Sequence, residues 1–520
     1  FSFAPGSVPA GGSSRLTLAA AADVPGGDVQ LTATAAGADL ARATVIRATT
    51  YPASRPFETP VNATRTRGFT GGMARTDAAG RIHLLYEDDS DSAAGSEVYY
   101  RRSPAGDAVF TAPLRLSPAG GVGYDAVLAT GPGDRVVAAW GGRASGDTND
   151  RVWVARSTNG GETFSAAVAV SPTTQIGARP AVAVDGSGNV VVAWYDFAPS
   201  VALLYTARST DGGATFGAAA AINDDAVGVV TRPGLAFDSR GAAYLVYTRQ
   251  YTTTYGLATA ARIAVARDGK TFAAPASLTD VNSVASFAPD VAVAPNDAVH
   301  VAYYVRLVTS VGTYNREVVA VRSTDGGAAF TAPVNLSRNN GQSWFPTLAV
   351  EPSGAVTVAW EDDTGRTTSD VLLVRSTDGG ATFTDPVDVS ADVGLSGSLA
   401  NPLEEPGGSG RVAVSASAAG RLLVSWLDDS PANPDVFFVR LDPRALSNRA
   451  PTASIAAPAA GASFEAGAGV AFSGSGTDPD GDALSYSWSF GDGGRATGAS
   501  PAPHPYTRPG SYTAVLTVAD

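Results

Sequence analysis

The 520-residue chain has no cysteine, one methionine and three histidines, and Lys270 is the single lysine among its 36 basic residues. Without cysteine there can be no disulfide, thiolate metal site or cysteine nucleophile. With so few histidines, neither a histidine-based triad nor a zinc site has material to work with. Charge is scarce as well. Only 16% of residues are Asp, Glu, Lys or Arg, and a net charge of −13 offers no basic footprint for nucleic acid or an anionic membrane. No apolar run reaches the length of a membrane span. The preference for Arg over Lys, beside abundant Ala, Gly and Pro, reads as a GC-rich coding bias rather than a functional choice. The chain lacks an initiator Met and opens inside a strand-like pattern, so it reads as a piece of a longer protein. A signal or anchor would then lie outside it, and secretion is inferred from architecture alone.

What the chain has in quantity is a repeated nine-residue box, Arg375-Ser-Thr-Asp-Gly-Gly-Ala-Thr-Phe383. It recurs as Arg208–Phe216, as Arg322–Phe330 and, with Asn159 for Asp, as Arg156–Phe164. A worn copy spans Arg267–Phe272 and a degenerate one ends at Phe110. The Asp or Asn side chain can bond backbone amides two residues on, and Gly supplies the positive φ of a tight turn. An apolar run enters the box and Phe-x-x-Pro often leaves it, so the local unit is strand, turn, strand. The closing Phe falls at 110, 164, 216, 272, 330 and 383, spacings of 52 to 58 residues, which suit four-stranded propeller blades. An aromatic in the second strand recurs as Tyr86, Trp140, Trp194, Tyr247, Tyr303, Trp360 and Trp426, seven copies in all.

The seventh unit, from Arg411 to Leu441, has no box and no outgoing fourth strand. Pro56-Phe-Glu-Thr-Pro-Val61 matches Thr382–Val387, and Phe57 lies one repeat before Phe110. A ring must hide its first and last edges. The expected fold is therefore all-β: a seven-bladed propeller over 51–443 whose N-terminal strand completes the last blade, flanked by β-sandwich domains. Residues 1–50 alternate apolar and polar between Gly/Pro turns. They resemble the C-terminal part of a bacterial immunoglobulin-like domain.

The boxes resemble the Asp-box (BNR) repeats of the sialidase-like propeller superfamily, and the resemblance covers about three quarters of the chain. It is specific for fold and poorly specific for activity. After a short linker, Trp488-Ser-Phe-Gly-Asp-Gly493, His504-Pro-Tyr506 and the strand ending at Val518 resemble a PKD domain over 449–520.

Candidate site residues fall into three groups. Asn159, Asp211, Asp268, Asp325 and Asp378 recur in most boxes and so serve what the blades share, their own turns; the family resemblance puts the boxes opposite the ligand face. On that opposite face, aligning on the aromatic places Gly71, Asp125, Arg179, Arg232, Ala288, Phe345 and Arg411 at the entry to the first strand. The exit of the second strand holds Asp88, Gly142, Asp196, Arg249, Val305, Asp362 and Asp428. Side chains vary there while the scaffold does not, as expected of a site grafted on a repeat. A ring of Arg179, Arg232 and Arg249 with Asp88, Asp196, Asp362 and Asp428 can hold a charged or polyhydroxyl ligand, or pair internally around a solvated channel. Trp344, Phe345, Phe287, Tyr251, Tyr255 and Tyr314 can stack on sugar rings or pack between blades. His83 and His300 occupy a packing position.

The third group is Asp478, Asp480 and Asp482, hard oxygen ligands around a Gly turn that suit Ca²⁺, as resemblance to PKD-type domains also implies. The sialidase signature itself is missing: Ala178, Thr231, Phe287 and Trp344 stand where Arg-Ile-Pro would place its arginine, and no Tyr–Glu nucleophile pair can be assigned. Acidic pairs such as Glu361/Asp362 and Asp88/Asp89 remain open as glycosidase carboxylates. The expected function is a secreted or bacterial cell-surface binding or adhesion protein with a glycan or extracellular polymer as partner and no nucleic acid. The alternative is a glycoside hydrolase of the sialidase-like superfamily, of the exo-sialidase type.

Overall fold

The computed structural model describes residues 29–31, 46–48, 60–64, 70–90, 95–104, 106–107, 109–173, 176–198, 201–222, 231–253, 256–279, 285–310, 313–339, 341–363, 370–390, 412–428, 435–443, 452–459, 462, 464, 467–477, 484–507, 512 and 514–519. Its regular elements are β-strands throughout. It divides into two compact units, Phe1–Glu58 and Thr59–Asp520. In the first, Val29–Leu31 pairs antiparallel with Ile46–Ala48; the remainder of the immunoglobulin-like expectation lies outside the described residues, as does Phe57.

In the second unit the described residues form seven four-stranded antiparallel sheets. Six are consecutive meanders, beginning with Thr70–Thr76, Val122–Gly131, Gly177–Val184, Gly234–Phe237, Ala285–Val293 and Ser343–Val350. The seventh joins Val412–Ala416, Leu422–Asp428 and Asp435–Leu441 to Val61–Asn62, nearly four hundred residues earlier. Val61 lies opposite Phe438 and Asn62 opposite Phe437. Polar contacts lock this seam: Thr64 Oγ1 donates to Asp435 Oδ1 at 2.6 Å and Asn62 Nδ2 to Asp435 Oδ2 at 2.8 Å. The innermost strand of the first sheet is tied to the last in the same way, Ala74 and Thr76 N–H donating to the hydroxyls of Ser425 and Ser415. Edges that would otherwise template aggregation are thus consumed.

The second-strand aromatics form the core between sheets. Trp140, Trp194, Tyr247, Tyr303, Trp360 and Trp426 are fully buried, Tyr86 nearly so. Each occupies the position where a four-stranded blade meets its neighbour, and large aromatics contribute most buried area there.

The opening arginines of four boxes hold neighbouring blades in phase. Arg102 Nη1 donates to Gly160 O at 3.1 Å, Arg156 to Asp211 O at 3.4 Å, Arg208 to Gly269 O at 2.9 Å and Arg322 to Gly379 O at 2.8 Å. Arg440 of the last blade donates to Gly106 O of the first and closes the circuit. Arg375 faces the blade without a box. It turns instead to Glu351, Nε–Oε1 at 2.6 Å and Nη2–Oε2 at 2.8 Å, a bidentate pair.

Residues 452–519 build a separate small core of Val470, Phe472, Trp488 and Phe490. His504 stacks on Phe490 with ring centroids 4.2 Å apart and meets Asp492 at 2.8 Å, while Tyr506 OH donates to Phe490 O.

Candidate functional site

Each box is occupied by its own turn. In the third blade Asp211 Oδ1 accepts from Ser209 Oγ and the amides of Ala214 and Thr215, and Oδ2 accepts from Thr215 Oγ1. Asp378 has the same partners in Ser376, Ala381 and Thr382. Asp325 takes Ser323, Ala328 and Ala329, Asp268 the amides of Lys270 and Thr271, and Asn159 Oδ1 the hydroxyl of Ser157 and the amide of Thr163. The hydroxyl bond from Thr215 and its counterpart from Thr382 lead the causes that hold Asp211 and Asp378 well below the usual carboxylate range.

At the other end of the first strands the chain bulges at one repeated place. Register shifts lie between Tyr124 and Val127, Ala178 and Ala181, Phe287 and Asp290, and Trp344 and Thr347. Asp125, Arg179, Ala288 and Phe345 accordingly take left-handed φ of 56°, 53°, 46° and 49°. A bulge bends its strand and re-aims side chains, and non-Gly residues rarely accept this conformation. Four recurrences of it at the entry position show a shared backbone with unlike side chains upon it.

These bulges are clamped by carboxyls and a hydroxyl of the preceding blade. Glu87 Oε1 accepts Ala126 N–H at 2.7 Å, Thr248 Oγ1 accepts Ala288 N–H at 3.0 Å and Asp290 Oδ2 accepts Leu348 N–H at 3.0 Å. Asp125 accepts the Arg179 amide. The result is a buried charged group of Glu87, Asp125, Arg179 and Arg232, to which Arg75 and Asp290 are electrostatically coupled. Burial, reinforced by Asp125, pushes Glu87 up to about 7. Burial raises Asp125 and Asp290 too, and lowers Arg75 and Arg232. A cavity of about 410 Å³ runs along the channel, lined by the inner strands of all seven sheets and including Arg75, Arg232, Asp290 and Phe345.

Of the residues expected to form a mixed ring, Arg179 and Arg232 come together, with Asp125 between blades. The others serve their own blades. Asp362 is fully buried and accepts from Trp360 Nε1, Ser343 Oγ and Asn339 Nδ2 at 2.9, 2.6 and 2.9 Å, so it is a fold acceptor rather than a ligand-face acid. Asp428 is also fully enclosed, opposite Asp435. Asp196 accepts Ile176 N–H and Asp88 caps Ser90. Arg249 is half-buried in its strand opposite Ala260.

Trp344 and Phe287 are buried: Trp344 Nε1 donates to Glu361 Oε2 at 3.0 Å, and Phe287 stacks on Tyr304 at 5.1 Å. Phe345 is the one of the three that reaches the cavity. The side chains of Tyr251, Tyr255 and Tyr314 lie outside the described residues, as do Asp478, Asp480 and Asp482. His83 is fully buried, between Tyr100 OH at 2.6 Å and Asp77 Oδ2 at 3.1 Å. Burial holds His300 down at about 4. Glu87, Arg75 and Asp290 escape sequence reasoning. Glu87 stands one residue past the aromatic and Asp290 two past the bulge, so alignment on a single column per strand passes over both.

Residues 448–520 match the PKD domain family. The chain carries a PKD domain. No curated protein matches the chain. Among solved structures, it resembles an ulvan lyase bound to a glucuronate–sulfated rhamnose unit, at 11% identity over 72% of this chain and 94% of that one, with a TM-score of 0.46. It also resembles a Penicillium chrysogenum α-L-arabinanase in complex with arabinobiose (16% identity, 62% and 94% covered, TM-score 0.43). A third, a Hadza microbial sialidase, gives 16% identity over 64% and 69%, with a TM-score of 0.38.

Proposed function

We propose that the chain is part of a secreted or cell-surface bacterial protein that binds glycan at the bulged mouth of its propeller, without turning it over. The observation that supports this reading is the set of four bulges. They give four first strands one backbone and different side chains, and two of them set Asp125 and Arg179 beside Arg232. Varied side chains on a fixed frame are how repeat proteins build binding faces. Arginines beside a partly apolar wall fit a sugar bearing a carboxylate or sulfate. Glu87 and Asp125 are tied to backbone amides of the next blade, which favours holding over hydrolysis. The PKD domain supports an extracellular place, and among the described residues no helix is long and apolar enough to cross a membrane.

Binding to a microarray of acidic and neutral glycans tests the proposal. It requires retained glycan that Arg179→Ala weakens, and silence across the array counts against it. A glycoside-acting enzyme is the second reading, favoured by the pair Glu87 and Asp125, one of which is held near neutrality. Hydrolysis of a fluorogenic sialoside or neutral glycoside that Glu87→Gln abolishes would establish it instead.

A further inference from the structure

Two arginines line the channel: Arg75, and Arg232, which also belongs to the charged group at the mouth. Arg75 comes from the inner strand of the first blade and Arg232 from the entry to the fourth, and both line the cavity. Arg75 Nε and Arg232 Nε and Nη2 are shut off from solvent without a hydrogen-bond partner. Burial disfavours the charge of both; Asp125 and Glu87 attract Arg232 and Asp290 attracts Arg75, while Arg179 and Arg75 repel Arg232. Guanidinium donors left unspent in an enclosed space are costly unless an acceptor joins them. The neighbouring carboxyls are committed elsewhere. Asp290 accepts from Leu348 N–H, Thr347 Oγ1 and its neighbour Val291 N–H, at 3.0, 3.1 and 2.9 Å. Glu87 and Asp125 hold the bulges of the blades that follow them. Guanidinium forks facing a polar cavity match the planar or tetrahedral oxygens of an oxyanion.

We propose that a small oxyanion binds in the propeller channel between Arg75 and Arg232, joining the first blade to the fourth across the cavity. This goes beyond glycan binding at the mouth: the ligand is an inorganic or monocarboxylate ion, and its bound state stabilises the ring by mass action.

The test titrates the whole chain with sodium phosphate, sulfate and acetate at constant ionic strength, by calorimetry and by thermal melting. Saturable heat and a rising melting temperature are expected for at least one ion. Arg75→Gln and Arg232→Gln should each weaken binding by about ten- to a hundredfold, the scale of a lost hydrogen bond to a charged group. Asp290→Asn, which removes a competing negative charge and keeps an acceptor for Leu348, should tighten it. That gain keeps the test decisive should an arginine variant fail to fold. No saturable response to any of the three ions overturns the inference, as does unchanged affinity in the arginine variants or in Asp290→Asn. The probes are not glycans, so glycan binding can fail while the ion response stands, and the reverse.

Discussion

Replacing Glu87 by Gln should flatten the pH dependence of stability and stabilise the propeller in mild alkali. The carboxyl is enclosed: Oε1 takes Ala126 N–H at 2.7 Å, and a Cβ on Gly71 would lie 2.9 Å from Oε2. Burial and Asp125 raise it from 4.5 to about 7, against the pull of the Ala126 amide and Arg232. Between those two values the folded chain holds a proton that the unfolded chain has lost. The stability this group contributes is therefore fully present below about pH 4.5 and lost as pH rises through 7. At about 1.4 kcal/mol per pH unit the loss is on the order of 3 kcal/mol. Gln keeps the acceptor and never ionises. Melting temperatures of wild type and Glu87→Gln from pH 5 to pH 9, in buffers of fixed anion content, should separate progressively up to about pH 7 and stay apart above it, with the variant more stable. Parallel curves over that range would refute the reasoning.

Other outcomes follow from the same geometry. Arg322→Ala removes the bond to Gly379 O that phases the fifth and sixth blades and should cost about 1 to 2 kcal/mol in denaturant unfolding, because a part-buried carbonyl loses a charged donor. Trp360→Ala deletes a fully buried side chain and should cost about 3 to 5 kcal/mol by the same measurement. Calcium, if held by Asp478, Asp480 and Asp482 as we propose, should raise the melting temperature of the PKD transition. Asp480→Asn should abolish that rise, and an unchanged melt with and without chelator would end the idea.

The architecture was legible because it rests on repetition. The second-strand aromatic recurs once per blade and the Asp/Asn-Gly turn and Phe-x-x-Pro exit in most of them, and the stretch Pro56–Val61 revealed where the last blade finds its fourth strand. The site was half legible. Arg179 and Arg232 stood out at a column where the repeats diverge, but nothing local announces that the strand bulges at Arg179. The exit acids Asp362 and Asp428 carry the same letters as ligand-face residues yet are enclosed, since burial depends on how blades pack rather than on order in the chain. Glu87 and Arg75 become partners of Arg232 only through ring closure, which brings the first blade across the channel from the fourth. A single column per strand carries no record of that approach.

In the proposed function the propeller has a constructional end, the boxes, and a binding end, the bulged mouth. Affinity of the wild type for its best glycan from the array should be compared with that of Asp378→Ala and of the double variant Arg179→Ala/Arg232→Ala, each checked for fold by circular dichroism. A lower melting temperature with unchanged affinity is expected for the box variant, and lost binding with a retained fold for the double variant. Binding that disappears with Asp378 and survives without the two arginines would contradict the proposed function.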